Sequence, residues 1–426
     1  MKNIGLIFVF EKSNKYSINA LLGALETKNY FDKVDVFLAN NKNLFKLLPC
    51  LVSKYKKIAI AYSFFTSQLE EVINSISQIK PKWPHLIFIA GGPHASGDPK
   101  SCLKLGFDIV VRGEGEQTII DIIKYMCDTI SLEEIGSIYY KTNEHIKFTG
   151  KNEFVNLNEI SPYSIKFKRF GPIEITRGCP FGCFFCQTSY IFGKRPRHRS
   201  INSILNTVEI LYKRGMKDIR FITPNAFSYG SPDGKTINFN KLEELLMGIR
   251  SIIKNNGRIF FGSFPSEVRP EHVNEQTIEL VKKYADNNNL VIGCQSGSER
   301  ILDLCHRGHT VLDVFNAAKL CVKNQLIPKI DFIFGLPGEQ QKDIDETIKV
   351  MKELTKIGAK IHAHTFMPLP GTPFGKLTTR DITPYSQFIN YALPKGLIFG
   401  EFEKQKKIGE KISKIMRRKR YGSPFK

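Results

Sequence analysis

Three cysteines with spacings of four and three residues carry the strongest chemical signal in the sequence. Cys179, Cys183 and Cys186 follow a short apolar run, and Gly178 and Gly182 lie among them. Thiolates select zinc or iron–sulfur centres, and glycine lets a loop curl until the sulfurs converge. A structural zinc site normally adds a second Cys or His pair, and no such pair follows downstream. The spacing therefore favours a four-iron cluster with one open iron, with a zinc site completed by a distant histidine as the alternative.

The remaining six cysteines lie in apolar surroundings scattered over 426 residues. Free cysteine commonly behaves as a small buried hydrophobic residue, and scattered cysteines in a long chain do not form a disulfide framework. We expect no metal-binding role for these residues, which are Cys50, Cys102, Cys127, Cys294, Cys305 and Cys321.

The cysteine triad, with Phe185 directly before its last member, resembles the signature of the radical S-adenosylmethionine (radical SAM) superfamily. The resemblance implies a [4Fe–4S] cluster whose open iron chelates S-adenosylmethionine. It also implies reductive cleavage of that molecule to a 5′-deoxyadenosyl radical, with the electron coming from a donor such as a ferredoxin or flavodoxin. Cys179, Cys183 and Cys186 would be the metal ligands.

Three later strings strengthen the resemblance: QSGSER at 295–300, GLPGE at 335–339 and PLPGTP at 368–373. They are similar to strings in radical SAM members with a cobalamin-type N-terminal domain and in methylthiotransferases. The likeness implies that Gln295 and Ser296 contact the methionine or ribose part of the cofactor. It also implies that Gly335 and Gly338 let adenosine approach the backbone.

Two segments depart from the family pattern. Residues 223–226 read TPNA where a Gly-Gly-Glu-like turn is expected for the methionine ammonium group. The segment after the third strand of the same half offers Ser263, Glu267 and Arg269 as polar contacts. We count Ser263 and Glu267 among the candidate cofactor-binding residues, while a surface pair of Glu267 with Arg269 is the alternative.

Residues 1–128 alternate apolar runs with amphipathic helical stretches, which predicts a doubly wound parallel sheet. Predicted strands cover 4–10, 34–38, 58–63, 85–90 and 108–111. Glycine-rich loops follow the last two, and ligands of such sheets bind at the carboxyl ends of strands. This domain resembles cobalamin-binding domains, which implies corrin contacts at Gly91, Gly92, Gly113 and Gly115. The usual Asp-x-His-x-x-Gly element is absent, so a vestigial domain without corrin stays open, and we interpret His94 as structural.

The strand–helix alternation resumes after a hairpin and linker at 129–170. Strands predicted at 173–176, 219–223, 259–262, 290–293, 329–334 and 361–365 give six β/α units, too few for a complete eight-fold barrel. We therefore expect an α/β protein with a cobalamin-binding-like domain at 1–128 and a partial (β/α)6 barrel at 171–373. A helical basic extension at 374–426 would follow.

The charge distribution restricts the partners. The formal net charge is +21, and the segment from Glu401 to Lys426 holds ten Lys/Arg against three Asp/Glu. A basic tail of this kind makes RNA a candidate partner. No apolar run is long enough to span a bilayer and the N-terminus lacks signal-peptide features, so we expect a cytoplasmic protein without a transmembrane segment.

The sequence thus predicts a radical SAM transferase that performs cobalamin-dependent methylation of an unactivated carbon on an unidentified substrate. Methylthiolation of a transfer-RNA base is the alternative within the enzymes, but it needs a second cluster for which only Cys50, Cys102 and Cys127 are available. Radical SAM chemistry with a vestigial cobalamin domain is another alternative. A non-catalytic cobalamin or iron–sulfur sensor is the alternative outside the enzymes.

Overall fold

The computed structural model describes residues 2–143 and 145–421, with side chains described to residue 415 apart from residue 144. The chain forms two compact units, Met1–Gly171 with Leu369–Gly371, and Pro172–Pro368 with Thr372–Lys426. Each unit has its own sheet structure. No helix of the described residues is both long enough and apolar enough to cross a membrane.

The first unit is built on one seven-stranded sheet. Its strands are β1 (Ile4–Val9), β2 (Asp35–Ala39), β3 (Lys57–Ser63), β4 (Ile87–Gly91), β5 (Ile109–Val111), β6 (Ile138–Lys141) and β7 (Ile146–Phe148). Its helices are α1 (Lys15–Thr27), α2 (Asn41–Lys54), α3 (Leu69–Ile79), α4 (Gly92–Gly97), α5 (Pro99–Lys104) and α6 (Glu116–Met126).

The strand order β2-β1-β3-β4-β5-β6-β7 starts with five parallel strands, and the hairpin β6–β7 continues the sheet with antiparallel pairing. Every residue of β1 is buried, as expected for a strand covered on both faces. The doubly wound sheet is confirmed, including all five predicted strands. The hairpin pairs with β5, so residues 129–170 lie in the first unit. The finer domain limits given above stay a prediction.

The second unit has nine strands. They are β8 (Ile173–Glu174), β9 (Thr176–Arg177), β10 (Arg197–His198), β11 (Asp218–Ile222), β12 (Arg258–Phe260), β13 (Asn289–Gln295), β14 (Ile327–Phe334), β15 (Lys360–Thr365) and β16 (Ile398–Phe399). Its helices are α7 (Thr188–Phe192), α8 (Ile201–Lys213), α9 (Phe239–Ile253), α10 (Glu275–Tyr284), α11 (Glu299–Leu304), α12 (Val311–Lys323), α13 (Gln341–Ile357), α14 (Ser386–Ala392) and α15 (Phe402–Tyr421).

Two parallel sheets form the wall of the second unit, with strand orders β12-β11-β8 and β13-β14-β15-β16. A parallel bridge between Val268 and Ile292 joins them, supported by a hydrogen bond of 2.9 Å from Val291 N to Gly262 O. All six predicted strands are present in the predicted order. The parallel sheets and their helices confirm the α/β class expected from the sequence, and the partial barrel stays a prediction.

The strands β14 and β15 present two different faces. Phe334 stacks on Tyr385 at 4.2 Å and contacts Phe402 of α15, so its face is covered by helices. Asp331 is paired with His362 in register and points to the opposite face, which we call the inner face. The helix α15 packs on β15, because Thr365 Oγ1 donates to Phe402 O at 2.8 Å. The predicted helical extension contains α14 and α15 with the short strand β16 between them, all in the second unit, and residues 422–426 lie outside the described residues.

Candidate active site

The three cysteines lie on a loop whose curvature depends on glycine. Gly178 has φ +92° and Gly182 has φ +63°, both in the left-handed region. A Cβ at Gly178 would lie 2.5 Å from Arg195 O, so no other residue fits there. Cys179 N donates to Gly193 O at 3.1 Å, and Cys186 N donates to Cys183 O at 3.1 Å. The loop is thus folded back on itself by backbone contacts.

Side chains of α7 hold the same loop from inside. Ser189 Oγ donates to Cys179 O at 2.7 Å and accepts from Gly182 N at 3.2 Å. Tyr190 Oη donates to Gly182 O at 2.9 Å. These hydrogen bonds hold the three cysteines on one short, ordered loop, which lowers the entropy cost of bringing three sulfurs together.

The environment of the thiols suits a soft metal centre. Burial raises the pKa of Cys186 to about 11 and also raises that of Cys179, and the thiol of Cys183 adds to both shifts, so the sulfurs are close enough to interact. A buried thiol loses its proton when it binds a metal. The donor set consists of thiols, which fits an iron–sulfur cluster. His306 is not aimed at the set, because its Nδ1 contacts Phe181 O at 2.9 Å.

A fourth thiol lies nearby. Cys305 is buried, and the charge of Cys183 contributes to raising its pKa to about 12. Its side chain belongs to an apolar cluster against which Phe185 packs. The other members of that cluster are Ile301, Leu336, Phe366 and Phe374. Phe185 therefore forms part of an apolar wall beside the cysteine loop.

Two buried guanidinium groups stand next to the cysteine loop. Arg307 Nη1 lies 3.7 Å from Cys183 Sγ, Nη2 donates to Gly293 O at 2.6 Å, and Nε lies 3.1 Å from His309 Nε2. Arg269 lies over the ring of Phe181 at 3.5 Å and donates to Arg307 O at 2.7 Å. The sequence alone does not assign a role to Arg307.

The position of Arg269 depends on the segment that departs from the family pattern. Asn225 Oδ1 accepts from Arg269 N at 3.3 Å, and Asn225 Nδ2 contacts His272 Nδ1 at 2.7 Å. The turn after β11 thus orders the segment that carries Arg269. Burial and the two guanidinium groups lower the pKa of His309 to about 3, so this imidazole is neutral.

A second polar set occupies the inner face further along the strands. His362 Nδ1 lies 2.8 Å from Asp331 Oδ1, and ligand atoms of Asp331, His362 and His364 all lie within 4.8 Å of one another. Burial and the neighbouring Asp331 raise the pKa of Glu267 to about 7. Sequence reasoning named Glu267 only, and the period-two pattern of β14 and β15 is the signal that could have pointed to the other three.

Gln295 and Glu267 meet around Gly293. A Cβ on Gly293 would lie 2.8 Å from Gln295 Nε2, 2.5 Å from Arg307 Nη2 and 3.5 Å from Glu267 Oε2. Gln295 has φ +81° at an irregularity of the β13–β14 pairing, an uncommon conformation for a residue other than glycine. The structure therefore brings Gln295, Glu267 and Arg307 together, next to Cys183.

Other predicted cofactor contacts have structural partners instead. Ser296 Oγ lies 3.3 Å from Thr347 Oγ1, which fixes it against α13. Ser263 Oγ donates to Asn289 Oδ1 at 3.1 Å, at the start of β13 and away from Gln295 at its end. The contacts of Ser263 and Ser296 with S-adenosylmethionine stay a prediction.

Gly335 and Gly338 both have positive φ, at +72° and +87°. A Cβ on Gly335 would lie 2.8 Å from Arg380 O, and one on Gly338 would lie 2.5 Å from Leu304 Cδ2. The close neighbour at each position is another part of the chain. The backbone conformation and these contacts account for both glycines without a ligand.

The four glycines predicted to contact a corrin follow β4 and β5. Gly92 has φ +84°, and a Cβ there would lie 2.8 Å from Ser63 Oγ, so the turn itself requires glycine. At Gly91, the last residue of β4, an added Cβ would make ordinary van der Waals contacts, 3.9 Å from Tyr62 O and 4.0 Å from Val111 Cβ, so the position tolerates a small side chain. Gly113 has φ +91° and its N donates to Ser96 Oγ at 3.0 Å, while Gly115 precedes α6. The corrin contacts of these four glycines stay a prediction.

His94 is fully buried. Its Nδ1 lies 3.1 Å from Thr66 Oγ1, and its ring stacks on Phe64 at 5.3 Å. The side chain is packed inside the first unit, in agreement with a structural role.

Residues 173–351 match the Radical SAM superfamily, and residues 16–123 match the B12 binding domain. The chain is a radical SAM superfamily enzyme with an N-terminal B12-binding-type domain. Membership implies a [4Fe–4S] cluster and S-adenosylmethionine in the second unit, and cobalamin in the first.

The relatives of this radical SAM enzyme include two types of enzyme. An uncharacterized methyltransferase of Pyrococcus horikoshii is 28% identical over 336 residues, which are 76% of this chain and 69% of the relative. A tRNA-2-methylthio-N(6)-dimethylallyladenosine synthase of Thermodesulfovibrio yellowstonii is 28% identical over 374 residues, 85% of this chain and 76% of the relative.

The fold of this radical SAM enzyme is similar to that of the radical S-adenosylmethionine methyltransferase TsrM from Kitasatospora setae, which was solved with cobalamin and a [4Fe–4S] cluster bound. The TM-score is 0.67 with 16% sequence identity, over 88% of this chain and 74% of TsrM. The likeness shows that the two-domain fold is shared.

Proposed function

We propose that Cys179, Cys183 and Cys186 hold the [4Fe–4S] cluster and that S-adenosylmethionine binds to its open iron. The hydrogen-bonded loop, which places three neighbouring thiols together, is the observation that carries this proposal. When bound, the cluster supplies the electron that cleaves S-adenosylmethionine into methionine and a 5′-deoxyadenosyl radical.

The residues around Gly293 would orient S-adenosylmethionine. Gln295 offers an amide donor and acceptor, and Glu267 offers a carboxyl group that can accept from the methionine ammonium. Both lie beside Arg307, which contacts the Cys183 sulfur. The wall formed by Phe185 excludes water from the cleavage site, which protects a radical from unwanted reactions. The positions of Gly335, Gly338, Ser263 and Ser296 favour supporting roles for these four residues.

We further propose that the enzyme uses cobalamin to methylate an unactivated carbon of its substrate. The B12-binding match and the methyltransferase among its relatives support this reaction. Gly92, Gly113 and Gly115 shape the loops of the same strand ends. An electron donor such as a ferredoxin or flavodoxin and an unidentified substrate complete the system.

Methylthiolation of RNA is the second candidate, because relatives of that type cover most of the chain. It needs three further cysteines that converge. Cys50 lies in α2, Cys102 lies buried in α5, and Cys127 follows α6. Their positions on three separate helices disfavour a second cluster.

Anaerobic reconstitution with iron and sulfide, followed by reduction with dithionite, tests the first proposal. We expect 5′-deoxyadenosine from the wild type and none above background from C183A. The matched control C305A removes a neighbouring buried thiol and should keep its iron and its product. Equal product from C183A and wild type, or loss of iron in C305A alone, would contradict the assignment.

Addition of hydroxocobalamin to the same protein tests the second proposal. We expect corrin absorbance to remain with the protein after gel filtration, and less of it with G91L, which places a bulky side chain at the carboxyl end of β4. A protein that makes 5′-deoxyadenosine but retains no corrin would have a vestigial first domain. A protein that binds corrin or iron but never cleaves S-adenosylmethionine would be a sensor.

A further inference from the structure

The guanidinium group of Arg307 is a buried cation beside the cysteine loop. Its guanidinium contacts the sulfur of Cys183, the carbonyl of Gly293 and the neutral ring of His309. Among the residues that the structure describes, no carboxylate forms an ion pair with it. Glu267 is close, but burial and the neighbouring Asp331 raise its pKa to about 7, so near neutral pH it carries only part of a negative charge.

A buried charge is costly unless an opposite charge compensates it. The contact that can supply a full negative charge to Arg307 is the sulfur of Cys183, once that sulfur is a thiolate bound to iron. Hydrogen bonds to cluster sulfurs and the net charge around the cluster are among the factors that set its reduction potential.

We propose that Arg307 donates an N–H···S hydrogen bond to the cluster-bound sulfur of Cys183 and raises the reduction potential of the cluster. The inference rests on the proposed function of the three cysteines. Reduction adds one electron to the cluster and no proton, and the fixed positive charge beside the sulfur stabilises that added negative charge. Arg307 is a positioning residue, because it acts on the reaction through the cluster.

The contacts of Arg307 explain why arginine occupies this position. All three of its nitrogens are used, towards Cys183, Gly293 and His309, in the fork that only a guanidinium provides. A lysine could supply the charge, but its donors lie on one nitrogen and cannot reach the separate positions of the three guanidinium nitrogens. We therefore expect a lysine variant to keep part of the effect.

Arg269 offers a matched comparison within the same neighbourhood. It is equally buried and carries the same charge, but its guanidinium lies over Phe181, forms an ion pair with Glu271 and donates to Arg307 O. It makes no hydrogen bond to a sulfur in the described structure. A variant of Arg269 therefore separates the general effect of charge from the effect of the sulfur contact.

Redox titration of the reconstituted full-length enzyme, followed by electron paramagnetic resonance of the reduced cluster without S-adenosylmethionine, tests the proposal. We expect R307Q to have a more negative midpoint potential, with about a tenfold lower ratio of reduced to oxidised cluster at a given potential, or ~59 mV for a one-electron couple. R307K should lie between R307Q and the wild type, and R269Q should shift less than R307Q.

Iron content and thermal unfolding of each variant are measured first. If R307Q fails to retain iron, R307K carries the test, with a smaller shift in the same direction. A midpoint potential of R307Q, or of R307K in its place, equal to that of the wild type at full iron content would overturn the proposal. So would an R269Q shift as large as that of the Arg307 variant. A wild-type protein that binds no cluster would refute the proposed function itself, which is a separate result.

Discussion

Asp343 ties helix α13 to the segment that follows β13. Its carboxylate accepts hydrogen bonds from Ser298 Oγ at 2.7 Å, from Gln340 N at 2.8 Å and from two nitrogens of Arg300. Burial acts to raise the pKa of this carboxyl, but the hydrogen bonds and the charge of Arg300 lower it from 3.8 to about 2. That lowering corresponds to ~2.5 kcal/mol of stability. Because Arg300 is half exposed, solvent screening reduces the expected contribution to about 1–2 kcal/mol.

We expect D343N to lower the free energy of unfolding of the second unit by about 1–2 kcal/mol at neutral pH. The pKa is lower in the folded state, so the stabilisation is present above the unfolded pKa of about 3.9 and is lost as the pH falls through about 2. The difference between D343N and the wild type should therefore be the same at about pH 5.5 and about pH 7.5.

Hydrogen–deuterium exchange is the suitable assay, because the single tryptophan, Trp83, lies in the first unit and does not report on α13. D343N should increase exchange in α13 and in residues 296–300. The control D345N changes an exposed aspartate of the same helix and should cost less than about 0.5 kcal/mol. Unchanged exchange in α13, or an equal effect of D345N, would refute the reasoning.

Three further predictions concern cofactors and partners. Q295A should weaken binding of S-adenosylmethionine, measured by equilibrium dialysis, with little change in thermal stability. S296A should instead lose about 1 kcal/mol of stability and keep its affinity for S-adenosylmethionine. The reverse pattern would contradict the placement of Gln295. A triple variant with serine at the three candidate ligands of a second cluster, Cys50, Cys102 and Cys127, should keep the iron content of the wild type. A loss of iron would favour methylthiolation. Glutamine at three lysines of α15, Lys407, Lys411 and Lys414, should weaken RNA binding. The slope of log affinity against log salt concentration should become less steep by about 2. Unchanged affinity would exclude this helix as an RNA site.

The elements of both units could be predicted because their strands are short continuous apolar runs between amphipathic helices. Such runs mark strands buried on both faces, as β1 and β14 show. The cysteine loop could be predicted because its ligands are close in sequence and its glycines are required by the turn. Local patterns of this kind depend on few residues and can be recognised without knowledge of the tertiary structure.

The inner face could not be predicted, because its residues come from separate strands. Arg307 meets Cys183 across 124 residues, and Asp331 meets His362 across 31. A single polar residue within an apolar strand does not reveal which neighbour it will face. Only the register between strands decides that, and register depends on the folded sheet.

The glycines show a different limit of sequence reasoning. A family string containing Gly335 and Gly338 suggests that a ligand approaches the backbone. A glycine is also required, however, where another part of the chain packs closely or where φ is positive. Here the approaching groups are Arg380 O and the side chain of Leu304. The string therefore stabilises the fold of the second unit, and its presence alone does not locate adenosine.

The same distinction applies to the QSGSER string and bears on the substrate. Its residues after Gln295 bind α13 through Thr347 and Asp343, so what the string shares with relatives is largely structural. The inner face carries polar groups outside these strings, above all Asp331, His362 and His364. We therefore expect substitutions at these three positions to change which substrate is accepted, and substitutions at Ser296 or Ser298 to change stability instead.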